Sequence, residues 1–159
     1  MVWLEALSYV VTILGFPGAI AVFVYEHRRR SVNEENEIHR NLSEEYDNFL
    51  RLVLDNADLL LLRRSGAAPS LTEEQLERRE IIFRMLLSLF EKAYIILYDD
   101  DMGREAKRRW LSWEDDMREW CRKQDFQALL PDLLEGEDDL FSDYILRLAR
   151  AEAPSAAAA

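Results

Sequence analysis

The histidines and the cysteine are the side chains best suited to metal binding or nucleophilic catalysis. Neither His27 nor His39 has a second histidine three or four residues away, which is the spacing a zinc site on one helix face requires. Cys121 has no histidine near it in sequence and no poised basic partner except Arg122, so we interpret it as an inert, partly buried thiol. These residues therefore predict neither a metal site nor a cysteine nucleophile.

Two acidic runs have the oxygen ligands that a divalent cation prefers. Asp99 to Asp101 lacks the spaced ligands and the central glycine of a calcium loop, so we interpret it as a solvated helix end. We interpret Glu114 to Asp116 as a solvated face, which forms exposed pairs of little energetic weight with nearby basic residues. The sequence therefore predicts no bound metal and no cofactor.

Aromatic residues form one stripe on a predicted helix. Trp110, Trp113, Met117 and Trp120 follow each other at steps of three, four and three, which places them on the same face. Such a face could stack a base or a lipid, but core packing is our interpretation. The formal net charge of −11 opposes a phosphate-binding role, so we expect no direct contact with nucleic acid.

Sequence motifs of known catalytic sites are missing. The chain contains no glycine-rich phosphate loop, no Ser-x-x-Lys and no His-Glu-x-x-His. Arg30 and His39 are too far apart in sequence for the arginine–histidine motif of a family of helical-bundle ribonucleases. We therefore predict no catalytic residues and expect that the protein is not an enzyme.

Residues 6–25 have the length and composition of a membrane span. They read ALSYVVTILGFPGAIAVFVY, without a charged residue, and about 20 apolar residues cross the roughly 30 Å hydrocarbon core as a helix. Arg28, Arg29 and Arg30 follow the span, so the positive-inside rule places the C-terminal part in the cytoplasm and the N-terminus outside. The three arginines also suit anionic lipid headgroups. We predict a single-pass protein of the inner (plasma) membrane.

One face of the predicted span carries small or polar residues. Steps of three and four give a stripe that includes Glu5, Ser8, Thr12, Gly15, Ala19 and Glu26. Small residues let membrane helices approach closely, so the stripe predicts a contact with a second copy and a homo-oligomer. Two alternatives stay open, namely a pore lumen with glutamate rings at both ends, and a chance distribution of small residues.

The rest of the chain has helical periodicity, which predicts an all-α protein with a long stalk and a cytoplasmic helical bundle. From Ala19 to Arg64 there is no proline or glycine, so the membrane helix is expected to continue into the cytoplasm as a stalk. Gly66 and Pro69 then favour a stop. The next helix is expected to begin at Thr72, whose spacing to Gln75 is that of a capping box.

The C-terminal part predicts three further helices. The tryptophan stripe belongs to the first, and Asp125 is expected to cap a short second one that Pro131 and Gly136 interrupt. The last amphipathic helix includes Leu140 to Leu148. The predicted domains are a membrane anchor with a basic inner flank (1–30), a cytoplasmic helical domain (31–152) and a disordered tail (153–159).

Two stretches carry a resemblance to known proteins. Leu87 to Met102 (LSLFEKAYIILYDDDM) and Asp125 to Ile145 (DFQALLPDLLEGEDDLFSDYI) resemble a group of small bacterial membrane proteins of unassigned function. The resemblance implies one N-terminal span, a helical cytoplasmic domain and a bacterial inner membrane. In plan alone, the chain is similar to CRISPR-associated small membrane proteins that form pores and accompany an RNA-guided nuclease.

These features favour an interaction protein. The first hypothesis is a single-pass inner-membrane protein that self-associates through its membrane helix, with a pore or membrane-perturbing defence effector as its specific form. The alternative is a membrane anchor or adaptor whose acidic helical domain recruits a cytoplasmic protein partner. An enzyme comes third, because it would need catalytic groups that the sequence does not display.

Overall fold

A computed structural model describes residues 25–26, 36–63 and 70–153 of the chain. Helices and turns make up all of the described secondary structure, and no strand occurs in these ranges. The predicted all-α class is therefore confirmed. The chain divides into two compact units, residues 1–43 and 44–159, and the domain boundaries expected from the sequence stay predictions.

The first unit contains the predicted span, which lies outside the described residues except for Tyr25. Tyr25 and Glu26 are helical and exposed. Residues 36–43 are helical too, and the side chains of 36–38 face solvent, as expected for a polar stalk. Among the residues that the structure describes, no helix has the length and apolarity needed to cross a bilayer. The transmembrane helix stays a prediction.

The second unit begins with helical residues 44–55, called α1. The predicted unbroken helix to Arg64 is wrong, because a 3₁₀ turn at Ala57–Leu59 follows and Leu60 adopts the left-handed region with φ 52°. The side chain of Asn56 donates to the carbonyl of Leu52 (2.9 Å), a local hydrogen bond that competes with helix continuation. Asp58 is bound at 2.6 Å by Arg78 of the next helix, α2 (Glu73–Leu97), which holds the turn in place.

Helix α2 is the central element of the second unit. Its predicted capping box is confirmed, since Gln75 N donates to Thr72 Oγ1 (3.3 Å) and Thr72 N donates to Gln75 Oε1 (3.0 Å). The helix packs against α3 (Arg104–Cys121), α4 (Gln124–Leu133) and α5 (Asp139–Glu152). Its buried face consists of Ile82, Phe83, Leu86, Leu87, Leu89, Phe90 and Ala93.

The start of α4 differs from the prediction. Lys123 occupies the N-cap position and Asp125 lies inside the first turn, so Asp125 does not cap the helix. Its carboxylate instead forms a 3.1 Å ion pair with Arg79 of α2, a partner that sequence spacing could not indicate.

The sequence predicts that Pro131 interrupts α4, but it does not. Pro131 lies inside the helix, which continues to Leu133, because in the last turn the missing N–H removes one hydrogen bond only. The break comes at Gly136, whose φ of +97° is readily adopted by glycine alone. Helix α5 then begins after Asp138, whose side chain accepts a hydrogen bond from Phe141 N (2.9 Å).

The tryptophan stripe of α3 lies in the core, as predicted. Trp110 is 2% exposed, Trp113 4% and Trp120 1%, and Met117 between them is fully buried. The stripe packs among aromatic side chains of the neighbouring helices, notably Tyr46, Phe49, Phe83, Tyr94, Phe126 and Tyr144.

Candidate functional site

The residues that the sequence assigns to self-association lie almost entirely outside the described ranges. Glu5, Ser8, Thr12, Gly15 and Ala19 are not described, and Glu26 is helical and exposed. Arg28, Arg29 and Arg30, the predicted headgroup contacts, are not described either. The oligomer stripe and the lipid contact therefore stay predictions, and the described chemistry lies in the second unit.

A first polar network joins α3 to α5, and we call it the Glu114 network. Trp110 Nε1 donates to Tyr144 Oη (3.2 Å), and Tyr144 Oη donates to Glu114 Oε2 (2.5 Å). Arg118 binds Glu114 Oε1 through Nη2 (2.6 Å) and reaches Glu152 Oε1 through Nη1 (3.0 Å). A buried indole, a phenol, two carboxylates and a guanidinium thus form one continuous chain.

The Glu114 network favours the ionised form of the Glu114 carboxylate. Burial raises the pKa of Glu114, but the hydrogen bonds from Tyr144 and Arg118 outweigh it, and the net pKa is lowered. The predicted solvated face at Glu114 to Asp116 is therefore wrong for Glu114, whose side chain is only 19% exposed. Helix α5 covers this position, and nothing in the local sequence of α3 shows that.

A second network, the Asp116 network, lies between α3 and α1. Trp120 Nε1 donates to Tyr46 Oη (3.2 Å), and the Tyr46 phenol lies close to the Asp116 carboxyl and lowers its pKa. Burial raises the pKa of Asp116, and the neighbouring carboxylates of Asp115 and Glu119 raise it further. The predicted solvated face is thus wrong for Asp116 also.

Both networks hold helices together. Burial raises the pKa of the Tyr46 and Tyr144 phenols well above 10.0, so both phenols are neutral at pH 7, and Tyr144 donates its proton to the hydrogen bond with Glu114. Burial also raises the pKa of the Cys121 thiol to about 12, in agreement with the predicted inert cysteine.

The acidic run that precedes α3 is exposed. Asp101 N donates to Asp99 Oδ1 (2.8 Å), and Tyr98 Oη donates to Asp100 Oδ1 (3.0 Å), which is local turn chemistry at a helix end. This arrangement agrees with the solvated helix end that the sequence predicts. Within residues 36–63 and 70–153, no three histidine, cysteine, aspartate or glutamate side chains are grouped so that they could hold a metal ion.

Sequence reasoning missed a carboxyl pair formed by Glu91 of α2 and Glu137 of the α4–α5 loop. Asp138 N donates to Glu91 Oε1 at 2.6 Å, and the Glu137 carboxyl lies near enough to Glu91 for the two to interact electrostatically. Burial, together with the neighbouring Glu91, raises the pKa of Glu137 to about 7. The two glutamates are far apart in sequence and follow no motif, so only the fold brings them together.

An apolar groove lies between α1 and α2. It has a volume of about 420 Å³ and is lined by Glu45, Asn48, Phe49, Leu52, Met85 and Leu89. Two large apolar side chains of α2 remain half exposed at or beside it, since Ile81 and Met85 are each 51% exposed. The groove offers an apolar floor with polar residues at its edge, as protein contact surfaces do.

Comparison with protein-family models, with curated proteins and with solved structures gives no match for this chain. The resemblance to small bacterial membrane proteins therefore rests on the quoted sequence stretches alone.

Proposed function

We propose that the protein is a single-pass inner-membrane protein that self-associates through its N-terminal helix and carries its helical bundle in the cytoplasm. The observation that carries the proposal is the uncharged stretch 6–25, which Arg28, Arg29 and Arg30 follow after two intervening residues. The specific form is a pore or membrane-perturbing defence effector, for which the similarity in plan to pore-forming CRISPR-associated proteins is the support.

Gly15 and Ala19 lie at the centre of the proposed contact. Both belong to the stripe of small residues, and association in lipid depends on close packing because no hydrophobic driving force exists between helices there. If the stripe lines a lumen instead, Glu5 and Glu26 form charged rings that favour cations.

The first experiment measures insertion and assembly. The full chain should resist carbonate extraction from bacterial membranes, and its mass in lipid nanodiscs should exceed that of a monomer. Gly15→Leu and Ala19→Leu should abolish cross-linking between copies, whereas Ala21→Leu, which adds the same bulk off the stripe, should leave cross-linking intact. Release of the wild type from membranes by carbonate, or an equal loss of cross-linking in Ala19→Leu and Ala21→Leu, would refute the proposal.

Leakage of ions or dye from expressing cells distinguishes a simple helix contact from a pore lumen. In a simple helix contact, Gly15→Leu abolishes both cross-linking and any ion or dye leakage from expressing cells. In a pore, the oligomer survives the substitution while leakage is lost, because added bulk narrows or dewets the lumen. A wild-type protein that assembles without any leakage excludes the pore and leaves self-association standing.

A second candidate function is the adaptor, which the groove between α1 and α2 favours. Half-exposed Ile81 and Met85 would contribute apolar contact to a cytoplasmic protein partner. Met85→Asp should then reduce recovery of one specific protein after cross-linking in cells and leave the oligomeric mass unchanged. Leu140→Asp is the matched control, because Leu140 is 69% exposed and lies away from the groove. Identical cross-linked products from the wild type, Met85→Asp and Leu140→Asp would exclude the adaptor function.

A further inference from the structure

The first two turns of α3 carry the densest cluster of basic residues in the chain. Four of the six residues 104–109 are lysine or arginine and one is acidic, in a protein whose formal net charge is −11. Lys107 and Arg108 lie three and four residues after Arg104, which places all three on one side of the helix. Leu111 follows on the same side, and we call these four residues the basic face of α3.

The basic face lies opposite the buried tryptophan stripe of the same helix. Arg104, Lys107 and Arg108 are exposed, and Leu111 is 45% exposed. The core of the bundle is built from the other side of α3. The packing of the helices therefore leaves all four side chains available to a partner outside the bundle.

Arginines of other helices in the bundle are held by carboxylates. Arg79 of α2, for example, forms a 3.1 Å ion pair with Asp125 of α4. In the part of the chain that the structure describes, no carboxylate forms an ion pair with Arg104, Lys107 or Arg108. Three positive charges on one exposed face attract an anionic partner.

An anionic membrane surface is the partner that this chain can reach most easily. The net charge of −11 and the acidic run Asp99 to Asp101 oppose capture of a polyanion from solution. Residues 26–43 connect the proposed span to the second unit, and even fully extended they reach no further than about 65 Å. A domain tethered at such a distance meets the headgroups at a high effective concentration, so weak contacts are sufficient.

We propose that the basic face of α3 binds the anionic lipid headgroups of the cytoplasmic leaflet and holds the helical bundle against the membrane. The three basic side chains contact lipid phosphates, and Leu111 enters the boundary between headgroups and acyl chains. Each basic residue close to such a surface increases binding by about fivefold. The inference rests on the proposed membrane anchor, which supplies the tether.

The test compares the full chain in nanodiscs of phosphatidylcholine with the full chain in nanodiscs that also contain phosphatidylglycerol. Hydrogen exchange in peptides that cover residues 103–111 should be about tenfold slower in the anionic discs, because the lipid surface covers these amides. Salt at about 1 M, where the Debye length is about 3 Å, should remove the difference. The triple variant Arg104→Gln, Lys107→Gln, Arg108→Gln should exchange equally fast in both discs.

Two further variants serve as controls. The matched control removes three exposed arginines elsewhere, by Arg40→Gln, Arg51→Gln and Arg150→Gln, and should keep the dependence on lipid charge. The charge-conserving variant Arg104→Lys, Arg108→Lys should keep it too, because the contact depends on charge and not on the guanidinium itself.

The outcomes distinguish the basic face from the anchor on which it rests. A chain that enters neither kind of disc overturns the anchor and this inference with it. A chain that enters both discs but exchanges equally fast in them, or keeps the difference in the triple glutamine variant, overturns the basic face alone. Protection of residues 103–111 by a DNA oligonucleotide but not by phosphatidylglycerol would also overturn it, in favour of a nucleic-acid surface.

Discussion

The Glu114 and Asp116 networks repeat one arrangement on a single helix with opposite electrostatic outcomes. In each network a buried indole donates to a phenol oxygen at 3.2 Å, and the phenol lies beside a carboxyl of α3. The pKa of Glu114 is lowered and that of Asp116 is raised. The difference comes from Arg118, which binds Glu114 at 2.6 Å, whereas Asp116 faces the carboxylates of Asp115 and Glu119.

The comparison teaches that a neighbouring phenol alone does not offset the desolvation of a buried carboxylate. Desolvation is the largest contribution to the pKa of both Glu114 and Asp116. A guanidinium must be added before the charged form becomes favourable, because burial costs a carboxylate more than one neutral donor returns. The Glu114 network is therefore expected to hold a fixed charge, and the Asp116 network to gain stability when it is protonated.

Removing the indole of either network should produce the largest loss of stability. The loss should be similar for the two networks. Trp110→Ala and Trp120→Ala should each lower the free energy of unfolding by about 3–5 kcal/mol, because each leaves a cavity and removes the indole hydrogen bond to a phenol oxygen. Thermal unfolding followed by circular dichroism measures the loss. Leu111→Ala on the same helix is the control, since Leu111 is 45% exposed and should change stability by less than about 1 kcal/mol. Equal losses for Leu111→Ala and Trp110→Ala would contradict the core role of the stripe.

Removing the guanidinium should make the Glu114 network resemble the Asp116 network. Arg118→Met leaves Glu114 and Glu152 without this partner and should cost about 2 kcal/mol at pH 7, while the pKa of Glu114 rises. Urea unfolding at several pH values measures both effects. Arg51→Met is the control, because Arg51 is exposed and bonded to Asn48 on its own helix. A variant whose stability at pH 7 equals that of the wild type would show that Arg118 has no such role.

Neutralising the two carboxyls should produce the smallest effects. The changes in stability at pH 7 should have opposite signs for Glu114 and Asp116. The lowered pKa of Glu114 contributes stability that is present above pH 4.5 and lost as the pH falls through the folded value, so Glu114→Gln should destabilise the protein at pH 7. The raised pKa of Asp116 contributes stability that is present below pH 3.8 and lost as the pH rises, so Asp116→Asn should stabilise it at pH 7 by less than about 1 kcal/mol. Unfolding curves at pH 4 and 7 show both signs, and equal signs at pH 7 would contradict the comparison.

The sequence predicts those features of the second unit that depend on neighbours in the chain. The capping box at Thr72 and Gln75 needs residues three apart, and the burial of Trp110 and Trp120 follows from helical spacing. Both are confirmed. Such patterns are visible because the interacting groups share one helix.

The features that the sequence predicts wrongly depend on partners that are distant in sequence. The turn that ends helix α1 is held by the ion pair of Asp58 with Arg78, and Asp125 pairs with Arg79 instead of capping α4. The sequence of α3 predicts a solvated Glu114, but residues of α5 lie over its side chain. Local periodicity carries no information about which helix covers a polar face, so the two networks and the Glu91–Glu137 pair could not be predicted.

The aromatic cluster around Trp110 also makes the protein its own optical probe. The indole ring of Trp110 lies 5.9 Å from the ring of Tyr94, 5.1 Å from that of Tyr98 and 5.6 Å from that of Tyr144. At such separations an excited phenol transfers its energy to the indole before it can emit. Light absorbed by these tyrosines therefore leaves the folded protein as tryptophan fluorescence, and tyrosine emission returns only when the helices separate. The packing of α2, α3 and α5 can thus be followed in detergent or lipid without any attached dye.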